Sequence, residues 1–101
     1  MAYREFNLDK AIDVAHRWAD RASDEEVYAF VYEILEDVNW HSLNRAIEAK
    51  FGEALAYGTD APASEIGRLV GWDVYAAAEV CISLLNEIGR NDVARFIESQ
   101  D

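Results

Sequence analysis

Punctuation is scarce in this sequence. It has one cysteine, one proline and five glycines in 101 residues. A single thiol excludes a disulfide framework within the chain. No apolar run approaches the length that crosses a bilayer; the stretch from Val80 to Leu85 spans six residues. No signal-peptide pattern opens the chain, and no membrane partner is expected. Positive charge is short as well. Nine lysines and arginines face twenty acids, for a net charge of −11, which repels nucleic-acid phosphate and anionic lipid alike. The motifs of metal and phosphate chemistry are missing too: no CxxC, no HExxH, no Glu-x-x-His pair and no glycine-rich cradle. No enzyme, metal or cofactor is expected.

What remains is a core. Apolar residues make up 51% of the chain and twelve of its residues are aromatic, so disorder is excluded despite the charge. The length fits a single domain spanning 1–101. Helical spacing recurs along it. Leu8, Ala11, Ile12, Ala15, Trp18, Ala19 and Ala22 predict a first helix over about 8–21, capped by Asn7. Ser23 and Glu26 form a capping box for a second helix, whose stripe is Val27, Phe30, Val31, Ile34, Leu35 and Val38. A third follows from about Ser42 to Leu55, with Trp40 at the corner, before the turn-rich stretch Tyr57 to Pro62. Ser64, Asp73 and Asn91 are the expected caps of three further pieces. No repeat is apparent and no stretch alternates as a strand. The expectation is an all-α bundle of five or six helices, with Leu8, Trp18, Val31, Ile34, Ile47, Leu69, Cys81 and Leu84 buried.

Residues 64–88 have the outline of a helix-turn-helix. Gly67 suits a close helix crossing and Gly71 a turn that needs freedom in φ. This pair resembles the core of winged-helix regulators, yet from Leu69 to Gly89 there is no lysine or arginine, while Asp73, Glu79 and Glu87 are acidic. A DNA reader needs cations for phosphate and bidentate side chains for bases. A tightly crossing helix pair, or a scaffold turned to protein contact, is the expected role.

Three other groups bear residues capable of chemistry. Cys81 continues the stripe of Val74, Ala77, Leu84 and Ile88 without a basic neighbour, and reads as a buried structural thiol. Asp13, His16 and Asp20 share a helical face that could hold a divalent ion, but such faces are more often solvated. Asp37 and His41 straddle a helix break, so their spacing carries little.

The most unusual feature is local. Asp24, Glu25, Glu26, Glu33, Glu36 and Asp37 occur between Ala22 and Asn44 with no lysine or arginine. On a helix, Glu25, Glu26, Glu33, Glu36 and Asp37 fall within an arc of about 120° opposite Val27, Val31 and Ile34, with Tyr28 and Tyr32 at one edge. Helices normally relieve such repulsion with a lysine four residues on. Two readings follow: a solvated face that keeps the protein apart from others, or a docking surface for a basic partner, with the tyrosines as rigid anchors. On the docking reading the partner-binding residues are Glu25, Glu26, Tyr28, Tyr32, Glu33, Glu36 and Asp37, and Glu25, Glu33 and Glu36 are expected to play no part in folding.

With its acidic run from Asp24 to Asp37 and its motif-poor remainder, the chain resembles the small acidic anti-CRISPR proteins of phages and mobile elements. The resemblance implies a catalytically empty inhibitor in the bacterial host cytoplasm. Its partner would be a basic protein or nucleoprotein, a CRISPR effector, whose DNA-binding surface it covers without contacting nucleic acid itself. Immunity proteins that neutralise basic nuclease toxins share the profile. A degenerate winged-helix interaction module is the third reading.

Overall fold

Asn7 Oδ1 accepts the Lys10 amide at 3.2 Å and opens α1, Leu8–Ala19. The capping box forms as expected: Glu26 N–H donates to Ser23 Oγ at 3.1 Å, and Ser23 N–H donates to Glu26 Oε1 at 2.9 Å. It begins α2, Asp24–Asp37, which is followed by α3, His41–Phe51. Then come α4, Ala63–Leu69, α5, Val74–Glu87, and α6, Asn91–Glu98. The computed structural model describes residues 7–54 and 60–100, and there is no strand among the described residues.

Several boundaries differ from expectation. The third helix ends at Phe51, where Gly52 takes φ 103° and leaves the helix; Leu55 lies outside the described residues. Ser64 is inside α4 rather than its cap, because Ile66 N–H already donates to the Pro62 carbonyl at 3.0 Å. Asn91 is likewise the first residue of α6, with Ala94 N–H bonded to the Arg90 carbonyl at 3.1 Å. Asp73 caps α5 as expected, accepting the Ala76 amide at 2.9 Å. Leu8 and Leu69 are half-buried rather than buried, each at a helix end on the rim of the core.

The fold repeats although the sequence shows no repeat. Shifted by 50 residues, Asp24–Asp37 becomes Val74–Glu87. The turns that follow match: Asn39 and Gly89 take φ 65° and 82°, and the next amides, of Trp40 and Arg90, donate to the Leu35 and Leu85 carbonyls at 2.9 and 2.8 Å. Buried positions correspond as well, Phe30 with Val80, Val31 with Cys81, Ile34 with Leu84, Leu43 with Val93 and Ile47 with Ile97. Packing follows the same two-fold scheme. α2 lies on α5, α1 on α4 and α3 on α6, while α1 also packs on α5 and α4 on α2. The first helix of each half therefore buries its apolar side on the second helix of the other half.

This scheme changes the reading of residues 64–88. α5 sits among α1, α2 and α6, with Ala76, Ala77, Ala78, Val80, Cys81, Leu84 and Leu85 all buried. The side of α5 left open carries Tyr75, Glu79 and Asn86 and no lysine or arginine, so it offers a DNA groove no cation for phosphate. Gly67 is not the close crossing of α4 with α5 that was expected. A Cβ there would come within 2.2 Å of the Trp72 ring, so the glycine makes room for an indole. Gly71 does take the left-handed turn, at φ 64°, and Trp72 follows it at φ 56°.

Candidate functional site

The acidic face of α2 borders a cleft of about 460 Å³ shared with α3 and the residues after it. Four carboxylates line it, Glu33, Glu36, Glu48 and Glu53, and Arg45 is its one lining cation. Asn44, 6% exposed, joins the two helices there. Its Nδ2 donates to the Tyr32 carbonyl and to Glu36 Oε2, both at 3.0 Å. Two acceptors fix the amide's orientation, since a flip would set oxygen against oxygen. Asn44 Oδ1 is left buried and without a partner. His41 Nδ1 lies 3.0 Å from the same Glu36 oxygen, so the histidine answers Glu36 rather than Asp37.

Neighbouring acids on this face are pushed in opposite directions. The Asn44 amide, and then His41, hold the Glu36 carboxyl below its usual range against a smaller desolvation cost. Burial, and then Asp37, raise Glu33; burial, and then Glu36, raise Asp37. A group with a raised folded pKa destabilises the fold when ionised, and that penalty disappears as pH falls to the unfolded value. A group with a lowered pKa does the reverse, stabilising the fold above its unfolded pKa and losing that as pH falls through the folded one. Glu33→Gln is therefore expected to raise the neutral-pH melting temperature, with a gain that shrinks toward pH 4. Glu36→Gln is expected to lower it. Thermal melts of both variants across pH check the pair, and shifts of the same sign would contradict it.

The sequence-predicted residues do not all share this cleft. Glu25 is exposed at the start of α2, and Glu26 is committed to the capping box. Tyr28 and Tyr32 are half-buried, with ring centroids 5.3 Å apart, and both hydroxyls donate to the Gly52 carbonyl. The Arg90 guanidinium already covers the Tyr28 ring at 5.1 Å. Burial, and then the Tyr28 hydroxyl, push the Tyr32 phenol far above its ordinary value. These rings tie α2 to the end of α3. Asn44, Glu48 and Glu53 were missed; an asparagine between Leu43 and Ile47, within an apolar stripe, was the available signal for the first.

Elsewhere, His16 bonds Glu87 through Nδ1 and lies 2.7 Å from Ser83 Oγ through Nε2. Serine, imidazole and carboxylate thus stand in the order of a hydrolytic triad. Such a triad also needs free N–H donors for an oxyanion and a site for substrate. The Ser83 amide lies in the body of α5, where helical bonding occupies it, and neither cleft includes Ser83. The three residues pin α1 to α5. Asp13 pairs with Arg17 at 3.0 Å, so the face of Asp13, His16 and Asp20 does not converge, and no metal-ligating cluster occurs among the described residues. Cys81 is fully buried, and desolvation pushes its thiol pKa up. Among the described residues no helix is long and apolar enough to cross a membrane.

Compared with known protein families, characterised proteins and solved structures, the chain matches none of them.

Proposed function

We propose that this chain is an inhibitor that docks its α2/α3 cleft onto a basic, nucleic-acid-binding surface of a protein partner. One observation carries the reading: four carboxylates from two helices and the segment after them converge on a cleft with a single lining cation. Carboxylates in that arrangement can replace phosphates against lysines and arginines, steering the encounter and fixing its register. The resemblance to small acidic anti-CRISPR proteins makes a CRISPR effector the partner of choice.

The test is capture of the effector by the purified protein, followed by charge reversal. Glu33→Lys, Glu48→Lys and Glu53→Lys are combined; Glu36 is spared because its carboxylate holds Asn44 and His41. The folded triple variant is expected to bind roughly a hundredfold more weakly. The wild-type on-rate should fall steeply as salt rises and the screening length drops below about 8 Å. Full-strength binding by a folded triple variant, or association indifferent to salt, would move the contact to another surface. Capture of a basic nuclease toxin, with no affinity for the effector, would favour the immunity reading.

A further inference from the structure

The second half of the repeat carries its own cleft. It measures about 530 Å³ and lies against α5 and α6, closed on one side by Trp40 from the turn before α3. Applying the 50-residue shift, Ile82 and Glu98 stand where Tyr32 and Glu48 stand in the first cleft, and Glu79 replaces Ala29. The same face of each helix pair is therefore hollow twice, with different linings.

The second lining is aromatic and acidic. Trp40 and Tyr75 meet edge to face, with centroids 5.7 Å apart and planes at 72°. Tyr75 is 59% exposed, and it and Trp72 are the exposed large apolar side chains among the described residues. Ile82 and Ile97 supply apolar walls, Glu79 and Glu98 supply carboxylates, and no lysine, arginine or histidine lines the cleft. Tyr75, Glu79 and Ile82 follow one another at helical spacings of four and three, so they share a face of α5.

We propose that this cleft receives an arginine side chain of a protein partner. Each part of that side chain has a counterpart. The planar guanidinium stacks on the exposed face of the Tyr75 ring, whose negative quadrupole attracts it, with the Trp40 indole at right angles beside it. Its methylenes lie along Ile82 and Ile97, and its N–H groups reach Glu79 and Glu98. A wholly apolar occupant would strand two carboxylates against a dry surface, and an acidic one would be repelled. The inference shares with the proposed function only the premise of a basic partner. It does not need the α2/α3 cleft to be a docking surface.

The test uses N-acetyl-argininamide as probe, titrated into the isotope-labelled full chain and followed by nuclear magnetic resonance. Saturating shifts are expected at the Trp40 indole N–H and at the amides of Glu79, Ile82 and Glu98. N-acetyl-citrullinamide, matched in shape but uncharged, should leave those signals in place. Tyr75→Ala, at an exposed position, and the double change Glu79→Gln with Glu98→Gln should each weaken the probe at least fivefold. Tyr75→Phe should retain it. Equal shifts with the citrulline probe, shifts scattered over the acidic surface, or variants that change nothing would each overturn the inference. Shifts gathered instead at Glu33, Asn44 and Glu48 would also overturn it, while leaving the proposed function standing.

Discussion

Trp18→Ala is expected to destabilise this protein more than any other single truncation. Trp18 is 2% exposed on α1, meets Phe30 edge to face with centroids 5.2 Å apart, and donates its indole N–H to Asp60 Oδ1 at 2.8 Å. It therefore joins α1, α2 and the segment leading into α4. Emptying such a site costs about 3–5 kcal/mol, because the transfer energy is lost and the cavity collapses only in part. A domain of this size is stable by about 5–15 kcal/mol in total. The expected result is a melting temperature lower by roughly 15–30 °C, read by circular dichroism. Trp18→Phe keeps a ring against Phe30 but gives up the bond to Asp60, whose carboxyl that indole holds below its usual range, together with part of the buried ring volume. It should cost clearly less than the alanine change. An alanine variant no less stable than the phenylalanine one would show that the ring is dispensable.

Cutting the chain at the repeat boundary should remove stability altogether. Peptides 1–59 and 60–101 each contain three helices, yet neither contains the surface its first helix needs. α1 packs on α5 and α4 packs on α2, across the boundary in both directions. Helices this short are marginal in water without tertiary contacts, and chains this small bury too little surface to compensate. Each peptide alone is expected to show weak helicity and no cooperative melt. Mixed in equal amounts, they should recover helix with a melting temperature that rises with concentration, as association demands. A cooperative transition in either peptide alone would mean that the halves are separate folding units and that their interlocking is incidental.

Much of the fold was legible beforehand, and specific residues show why. Ser23 with Glu26, Asn7 and Asp73 announce helix starts because each cap bonds the amide three residues away. The stripe from Val27 to Leu35 announces a buried face because helical geometry places those side chains together whatever lies opposite. Gly71 announces a left-handed turn for a reason equally local. Legibility fails where a carbonyl rather than a side chain starts the helix, as Pro62 and Arg90 do for α4 and α6. It fails again at Gly67, whose missing side chain answers the Trp72 ring and not a second helix.

The acidic run divides in the same way. That Glu25, Glu33, Glu36 and Asp37 emerge on the outer side of one helix follows from their spacing alone. Their unequal roles do not. Glu36 is held by Asn44 and His41 from α3, Tyr28 and Tyr32 are drawn down to the Gly52 carbonyl, and Glu48 and Glu53 complete a cleft that α2 cannot form by itself. The two-fold repetition was hidden for a related reason. Packing constrains size and polarity at buried positions but not identity, so Phe30 and Val80, or Val31 and Cys81, occupy matching sites without resembling each other. The sequence by itself determined the helices, their caps, their buried stripes and the net charge, all set by neighbours within about one helical turn or by composition. Only the tertiary structure decided which helix covers which, where two clefts open and which acids face them, because those depend on contacts between residues far apart in the chain.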